Sequence, residues 1–170
     1  MRKKNVTAVR ADLSGLMPRL WRYALVLLGN RTDAEDLAQA TAIRALERAQ
    51  QFQTGTRMDR WCFSILSSIW KNELRARSVR RGQGLVPAED AGLVAADNRD
   101  VNILARQVFT QIMQLPEAQR ETVHLVYVEG YSYAEAAERL DIPIGTVMSR
   151  LATARRALAD LGRETQGQTG

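Results

Sequence analysis

Residues 130–161 encode two short helices joined by a tight turn, and this segment constrains the fold more than any other. Ser132 followed by Glu135 forms a capping box, which begins a helix by satisfying its first backbone N–H groups. Pro143 ends that helix, because proline cannot continue the hydrogen-bond ladder and restricts the residue before it. The second helix has an apolar side made of Val147, Leu151, Ala154 and Leu158. The segment therefore predicts a helix-turn-helix.

The opposite side of the second predicted helix is polar and basic. It carries Thr146, Ser149, Arg150, Arg155 and Arg156. In DNA-binding proteins with this motif, the second helix enters the major groove. The pattern therefore favours DNA binding, although by itself it fits an ordinary solvated helix pair about equally well.

The charge of the chain is uneven along its length. Residues 1–81 hold 16 Lys and Arg against 7 Asp and Glu, a balance of +9, within a chain of 170 residues whose net charge is +5. Residues 82–100 hold 1 against 4, and residues 101–170 hold 7 against 8. A strongly basic first part favours nucleic acid or an anionic surface as its partner.

Composition also excludes several kinds of site. Cys62 is the only cysteine and His124 the only histidine, so the sequence offers neither a disulfide nor a metal-ligand cluster. No nucleophile–base pair or glycine-rich phosphate loop occurs, which argues against an enzyme, and we expect no cofactor. The N-terminal residues are too polar for a signal peptide and no stretch is apolar enough to span a bilayer, so we expect a cytoplasmic protein without membrane insertion.

No strand pattern of useful length occurs, which predicts an all-α protein. Residues 82–100 contain Pro87, glycines, alanines and most of the local acid, a composition typical of a flexible linker. We therefore expect two small helical bundles, residues 1–81 and 101–170, with the helix-turn-helix in the second. Its other helices are predicted at residues 101–114 and 117–129. Their inward residues are Leu104, Val108, Ile112, Leu115, Val123, Val126 and Tyr127.

An acidic helix start stands out in the first part. Thr32 and Glu35 form a second capping box, which predicts a helix to about Gln51. The predicted apolar stripe of this helix is Leu37, Ala38, Thr41, Ala45, Leu46 and Ala49. Asp33, Glu35 and Asp36 lie in its first turn, where negative charge suits the helix dipole. Capping is a sufficient explanation of these acids.

A later helix in the first part combines aromatic residues and cations. It begins near Asp59, and its apolar residues are Trp61, Ile65, Leu66, Ile69, Trp70 and Leu74. Its basic residues are Lys71, Arg75, Arg77, Arg80 and Arg81. Aromatic side chains interleaved with cations suit stacked bases and phosphates. We expect the apolar set to be core and the arginines to meet an anionic partner.

Four motifs in this order and spacing resemble the extracytoplasmic-function sigma factors, the two-domain members of the sigma-70 family. They are DAEDLAQ at residues 33–39, WCFSI at 61–65, LPEAQR at 115–120 and GTVMSR at 145–150. The resemblance covers residues 13–161. It implies a bacterial promoter-specificity subunit of RNA polymerase with no catalytic residues of its own.

The resemblance also implies three sets of binding residues. Asp33, Glu35, Asp36 and Gln39 correspond to the segment that docks on the clamp helices of the polymerase beta-prime subunit. The minus-ten set is Phe52, whose loop helps to hold a flipped base, with Trp61, Ser68, Lys71, Asn72, Arg75, Arg77, Arg80 and Arg81. The minus-thirty-five set is Tyr133, Gly145, Thr146, Ser149, Arg150 and Arg155. Ser68 stands where the family commonly has asparagine, which implies either a different base preference or weaker discrimination between bases.

The implied partners are core RNA polymerase, including its beta flap, promoter DNA and an anti-sigma factor. The main alternative is a stand-alone helix-turn-helix regulator that binds duplex DNA as a dimer. That alternative leaves the acidic and basic helices of the first part without a purpose. An adaptor for RNA or an anionic membrane follows only from the basic first part.

Overall fold

A computed structural model describes residues 2–82 and 103–167 of the chain. All regular structure in these residues is helical, which confirms the all-α prediction. The chain divides into two compact units, Met1–Gly92 and Leu93–Gly170, and the division lies within the segment predicted as a linker. Apart from residue 82, that predicted linker lies outside the described residues. Among the residues described, no helix is long and apolar enough to cross a membrane.

The first unit is a bundle of three helices. These are α1 (Arg2–Leu28), α2 (Arg31–Glu47) and α3 (Met58–Gly82), with a 3-10 turn at Ala49–Gln51. Each helix packs on the other two. Tyr23 and Phe63 are fully buried and meet edge to face, with ring centroids 5.4 Å apart. This aromatic pair joins α1 to α3, because burying large rings in an edge-to-face arrangement stabilises a core.

The start of α2 differs from the sequence prediction. Its N-cap is Asn30, whose side chain accepts a hydrogen bond from the backbone N–H of Asp33. Thr32 and Glu35 therefore do not form the predicted capping box, and Glu35 instead pairs with Arg31 at 3.0 Å. The left-handed Gly29, with φ 75°, follows the end of α1, and α2 then begins two residues earlier than a cap at Thr32 predicts.

The end of α2 also differs. The α-helix stops at Glu47 and the chain tightens into the 3-10 turn. Leu46, predicted to be in the core, is 37% exposed. The other predicted residues of the stripe (Leu37, Ala38, Thr41, Ala45 and Ala49) are buried as expected. Because α2 packs on only two neighbouring helices, its buried stripe is narrow, and Leu46 lies outside this stripe.

The second unit surrounds the N-terminal half of its longest helix. Its α-helices are α4 (Ile103–Met113), α5 (Glu117–Val123), α6 (Tyr133–Leu140) and α7 (Ile144–Gly167). The helix α7 packs against the other three. Val147, Leu151 and Ala154 are fully buried, as the sequence predicted. The capping box of Ser132 and Glu135 is also confirmed at the start of α6.

A left-handed residue makes the turn between α6 and α7. Asp141 has φ 56° and ψ 50°, a conformation that aspartate tolerates better than most residues. The N–H of Ile142 donates to the carbonyl of Ala137 at 3.1 Å, so the turn closes the end of α6. Pro143 then precedes α7. This short turn fixes the direction of α7 relative to α6, which is the helix-turn-helix that the sequence predicted.

A π-helical turn at His124–Val128 overturns part of the prediction for residues 117–129. The N–H of Glu129 donates to the carbonyl of His124 at 3.0 Å, which adds one residue to the turn. Tyr127 consequently faces outward and is 54% exposed, whereas Glu129 is buried with its Oε1 3.4 Å from Nε2 of His124. Val108 on α4 is likewise 44% exposed, contrary to prediction.

Candidate nucleic-acid interface

A groove of about 380 Å³ lies between the end of α2 and the middle of α3. Ser68 and Asn72 of α3 line it together with Arg44 of α2 and Arg48, the residue that follows α2. Ser68 and Asn72 both belong to the predicted minus-ten set. Arg44 and Arg48 were missed, since only the packing of α2 against α3 places them beside this site. The groove thus combines neutral hydrogen-bonding groups with two guanidinium groups and the carboxylate of Glu73. Arg44 also pairs with Glu47 at 3.5 Å, so Arg48 is the less engaged of the two cations.

Three further predicted residues share the Ser68 side of α3. Trp61, Lys71 and Arg75 lie within about 100° of arc of Ser68 and Asn72 on a helix of 3.6 residues per turn. Lys71 and Arg75 are exposed and Trp61 is half-buried. The structure therefore brings five of the nine predicted minus-ten residues to one face.

Arg77 belongs to a different face of α3. It follows Ser68 by nine residues, which places it about 180° away around the helix. Its Nε lies 3.0 Å from Oε1 of Glu73, and its guanidinium carbon lies 5.6 Å above the ring of the buried Trp70. Arg77 is therefore held against its own helix, away from the groove. The side chains of Arg80 and Arg81 lie outside the described residues.

Phe52, which the resemblance placed in the minus-ten set through its loop, is largely buried in the first unit. The side chain is 6% exposed and packs against Trp61, with ring centroids 5.2 Å apart. The ring therefore supports Trp61 and the start of the loop that is predicted to hold a flipped base.

That loop is tied to α3 by Asp59. The Oδ2 of Asp59 lies 2.7 Å from Nη2 of Arg57 and 3.0 Å from Nη2 of Arg19, and the backbone N–H of Arg60 donates to Oδ1 at 2.9 Å. Burial raises the pKa of Asp59, but the hydrogen bonds from Arg57, Arg60 and Arg19 outweigh it and lower the pKa to about 2. The carboxylate therefore remains charged and holds α1, the loop and α3 together.

The acidic start of α2 divides into residues with internal partners and exposed residues. The carboxylate of Asp33 accepts a hydrogen bond from the side chain of the N-cap residue Asn30, and Glu35 pairs with Arg31. Asp36 and Gln39 are exposed, and Asp36 makes no hydrogen bond or ion pair with the described residues. Gln39 borders a hollow of about 270 Å³ with Trp21 of α1, a neighbour that the sequence had not indicated.

On the second unit, the exposed side of α7 differs in part from the predicted one. Ser149, Arg155 and Arg156 are exposed as expected, whereas Thr146 and Arg150 are half-buried. Gly145 is exposed, and Tyr133 is half-buried at the start of α6. Met148, which the sequence had not marked as a site residue, is 53% exposed in the same turns.

Two family models match the chain, one on each unit. The model described as Sigma-70 region 2 matches residues 14–80, and Sigma-70 region 4 matches residues 105–158. The ECF RNA polymerase sigma factor EcfG of Rhodopseudomonas palustris is 30% identical over 154 residues, which cover 91% of this chain and 84% of that protein. The chain belongs to the extracytoplasmic-function sigma factors.

Other relatives agree with this assignment. The sigma factor SigC of Mycobacterium tuberculosis is 32% identical over 160 residues, covering 92% of the present sigma factor and 84% of SigC. The sigma factor RpoE of Bartonella quintana, solved with the anti-sigma factor NepR, superimposes with a TM-score of 0.72 at 28% identity, covering 91% and 96% of the two chains. CnrH, solved with the cytosolic domain of CnrY, shares the fold, with a TM-score of 0.59, 19% identity and coverage of 96% and 95%.

The family assignment confirms the function that the sequence predicted. This sigma factor directs core RNA polymerase to promoter DNA and takes part in transcription initiation. Sigma factors are initiation factors rather than enzymes.

Proposed function

We propose that the two units of this sigma factor divide promoter recognition between them. The first unit binds core polymerase and the unwound minus-ten strand, and the second reads the minus-thirty-five duplex. The observation that carries the proposal is the groove in which Arg44 and Arg48 flank Ser68 and Asn72. A single strand needs cations for its phosphates and hydrogen-bonding groups for an unstacked base, and this groove offers both.

In the minus-ten contact, the base lies against Ser68 and Asn72. The amide of Asn72 presents a donor and an acceptor, and the hydroxyl of Ser68 serves as either. Arg48, Lys71 and Arg75 are exposed around them and bind the flanking phosphates. Because the serine side chain is short, it leaves more room than the asparagine common in the family, so base preference depends mainly on Asn72.

For polymerase docking, we assign the principal contacts to Asp36 and Gln39. Asp33 and Glu35 already have partners within α2, so their role is to hold its first turn. The exposed carboxylate of Asp36 is then the group available to a basic surface on the clamp helices of the beta-prime subunit. The beta flap is the proposed polymerase contact of the second unit.

In the minus-thirty-five contact, α7 enters the major groove with its first turns. Gly145 lets the backbone approach the DNA, and Ser149 lies nearest the bases, whereas the half-buried Thr146 lies on the same side of α7 as Arg150. Arg150 is half-buried and Arg155 lies at the edge of the exposed side of α7. Both positions suit contacts with phosphates, and such contacts fix the orientation of the protein on the DNA without reading its sequence.

Regulation by an anti-sigma factor is a further part of the proposal. The related RpoE was solved with the anti-sigma factor NepR. A protein that covers Asp36 and its neighbours on α2 would prevent docking on polymerase. The sigma factor itself supplies no catalytic group, since bond formation belongs to the polymerase.

Transcription in vitro tests these assignments. Core polymerase with the full-length chain should start transcripts at defined sites on genomic DNA, and core polymerase alone should not. Asn72→Ala should reduce strand opening at those sites while retaining polymerase binding. A chain that binds promoter duplex tightly but neither binds core polymerase nor starts transcripts would contradict the proposal and favour a stand-alone regulator.

A further inference from the structure

An apolar side chain occupies the exposed side of α7 in the turns assigned to the major groove. Met148 is 53% exposed, and Ile144, one turn earlier, is 49% exposed. Side chains four residues apart on a helix are neighbours, so the two form one apolar surface. The core of the second unit does not need this apolar surface, since Val147 and Leu151 form the buried side of the same turns.

The polar groups around Met148 are poorly placed to read a base by donating hydrogen bonds. The hydroxyl of Ser149 donates to the backbone carbonyl of Thr146 at 3.0 Å, which leaves it only as an acceptor. Arg150 is half-buried and lies about 160° around the helix from Met148. Arg155 lies about two turns further along and reaches a different part of a bound duplex.

The charge of this surface fits DNA better than a protein partner of mixed charge. Residues 144–156, all described, contain Arg150, Arg155 and Arg156 and no acidic residue. An apolar surface with cations beside it is complementary to the major groove, which has phosphates along both sides. The apolar group that a base pair presents in the major groove is the C5-methyl group of thymine.

We infer that Met148 reads a thymine methyl group in the minus-thirty-five element, with Ile144 extending the apolar contact. The inference rests on the proposed placement of α7 in that element and deepens it. It predicts that part of the specificity is independent of hydrogen bonds. Burying one methyl group against Met148 corresponds to about a four-fold gain in affinity.

Replacing thymine by deoxyuridine isolates this contact, because deoxyuridine lacks the methyl group and keeps the base-pairing and groove hydrogen-bonding atoms. Promoters are first located with the reconstituted holoenzyme on genomic DNA. Each thymine on either strand of the minus-thirty-five region is then replaced singly, and the rate of open-complex formation is measured. We expect one or two positions at which the rate falls about four-fold.

Three variants assign the effect to the side chain. Met148→Ala should lower the rate on the normal promoter about four-fold and should be insensitive to deoxyuridine at the same position. Met148→Leu should keep the sensitivity. Val128→Ala removes another exposed apolar side chain of the second unit, 54% exposed, and should also keep it.

The outcomes separate this inference from the function on which it rests. An active holoenzyme with a flat deoxyuridine profile overturns the inference alone. So does a minus-thirty-five region without A·T pairs, or a Met148→Ala variant that keeps the full deoxyuridine penalty. A holoenzyme that starts no transcripts contradicts the proposed function itself.

Discussion

Asn30 and Asp33 cap the start of α2 reciprocally. The N–H of Asp33 donates to Oδ1 of Asn30 at 2.8 Å, and Nδ2 of Asn30 donates to Oδ2 of Asp33 at 2.7 Å. Because Asp33 is hydrogen-bonded to Asn30 in this way, its carboxylate stabilises the start of α2 and is not available to bind a partner. Asp36, one turn later, is the carboxylate that remains for a partner.

The cap predicts a coupled loss of stability. Asn30→Ala should lower the free energy of unfolding by about 1 kcal/mol, because an orphan N–H of the first turn loses its acceptor. Asp33→Ala should lower the free energy of unfolding by a smaller amount. The double variant should lower it by less than the sum of the two single losses, since the two residues share one interaction. Urea unfolding of the three variants measures this, and strictly additive losses would contradict the reciprocal cap.

Reversing the charge of Asp36 should abolish binding to core polymerase. Asp36 is exposed and has no partner among the described residues, so Asp36→Arg should leave the unfolding transition unchanged while placing a cation against a basic docking surface. Co-purification with core polymerase measures the effect. Asp12→Arg is the matched control on an exposed position of α1 and should bind normally. Normal binding by Asp36→Arg would refute the docking assignment.

The two faces of α3 should separate in their salt dependence. Arg75→Ala should reduce the slope of log affinity against log salt for a minus-ten single strand by about 0.7, the value for one phosphate contact. Arg77→Ala should leave the slope unchanged and lower stability instead, because Arg77 stacks on Trp70 and pairs with Glu73. Holoenzyme and a labelled oligonucleotide provide the measurement. An equal change of slope for both variants would contradict the division of the faces.

Acid should weaken the first unit through Asp59. Its pKa falls from an ordinary 3.8 to about 2 in the folded chain, so its extra stabilisation is fully present above about pH 5 and is lost as the pH falls toward 2. The exposed Arg57 side chain is screened by water, which limits the contribution to about 1 kcal/mol. Between pH 5 and pH 2, the free energy of unfolding of Asp59→Asn should therefore fall by about 1 kcal/mol less than that of the unmodified chain. An identical pH profile would show that the carboxylate contributes nothing.

Local sequence signals were reliable where a single turn decides the structure. Ser132 and Glu135 capped α6, and Asp141 with Pro143 made the turn into α7, because each signal acts within four residues. The same kind of reasoning failed at Thr32, where Asn30 and the left-handed Gly29 provided a competing start two residues earlier. It also failed at Tyr127, since nothing in the periodicity marks the π-helical turn.

The sequence by itself determined the helical class and the helix-turn-helix, because these depend on caps, proline and periodicity along one helix. The tertiary structure decided which residues meet. Packing α2 on α3 placed Arg44 and Arg48 beside Ser68 and Asn72. It also buried Phe52 against Trp61. Residues far apart in sequence become neighbours only through the packing of helices, which no local pattern records.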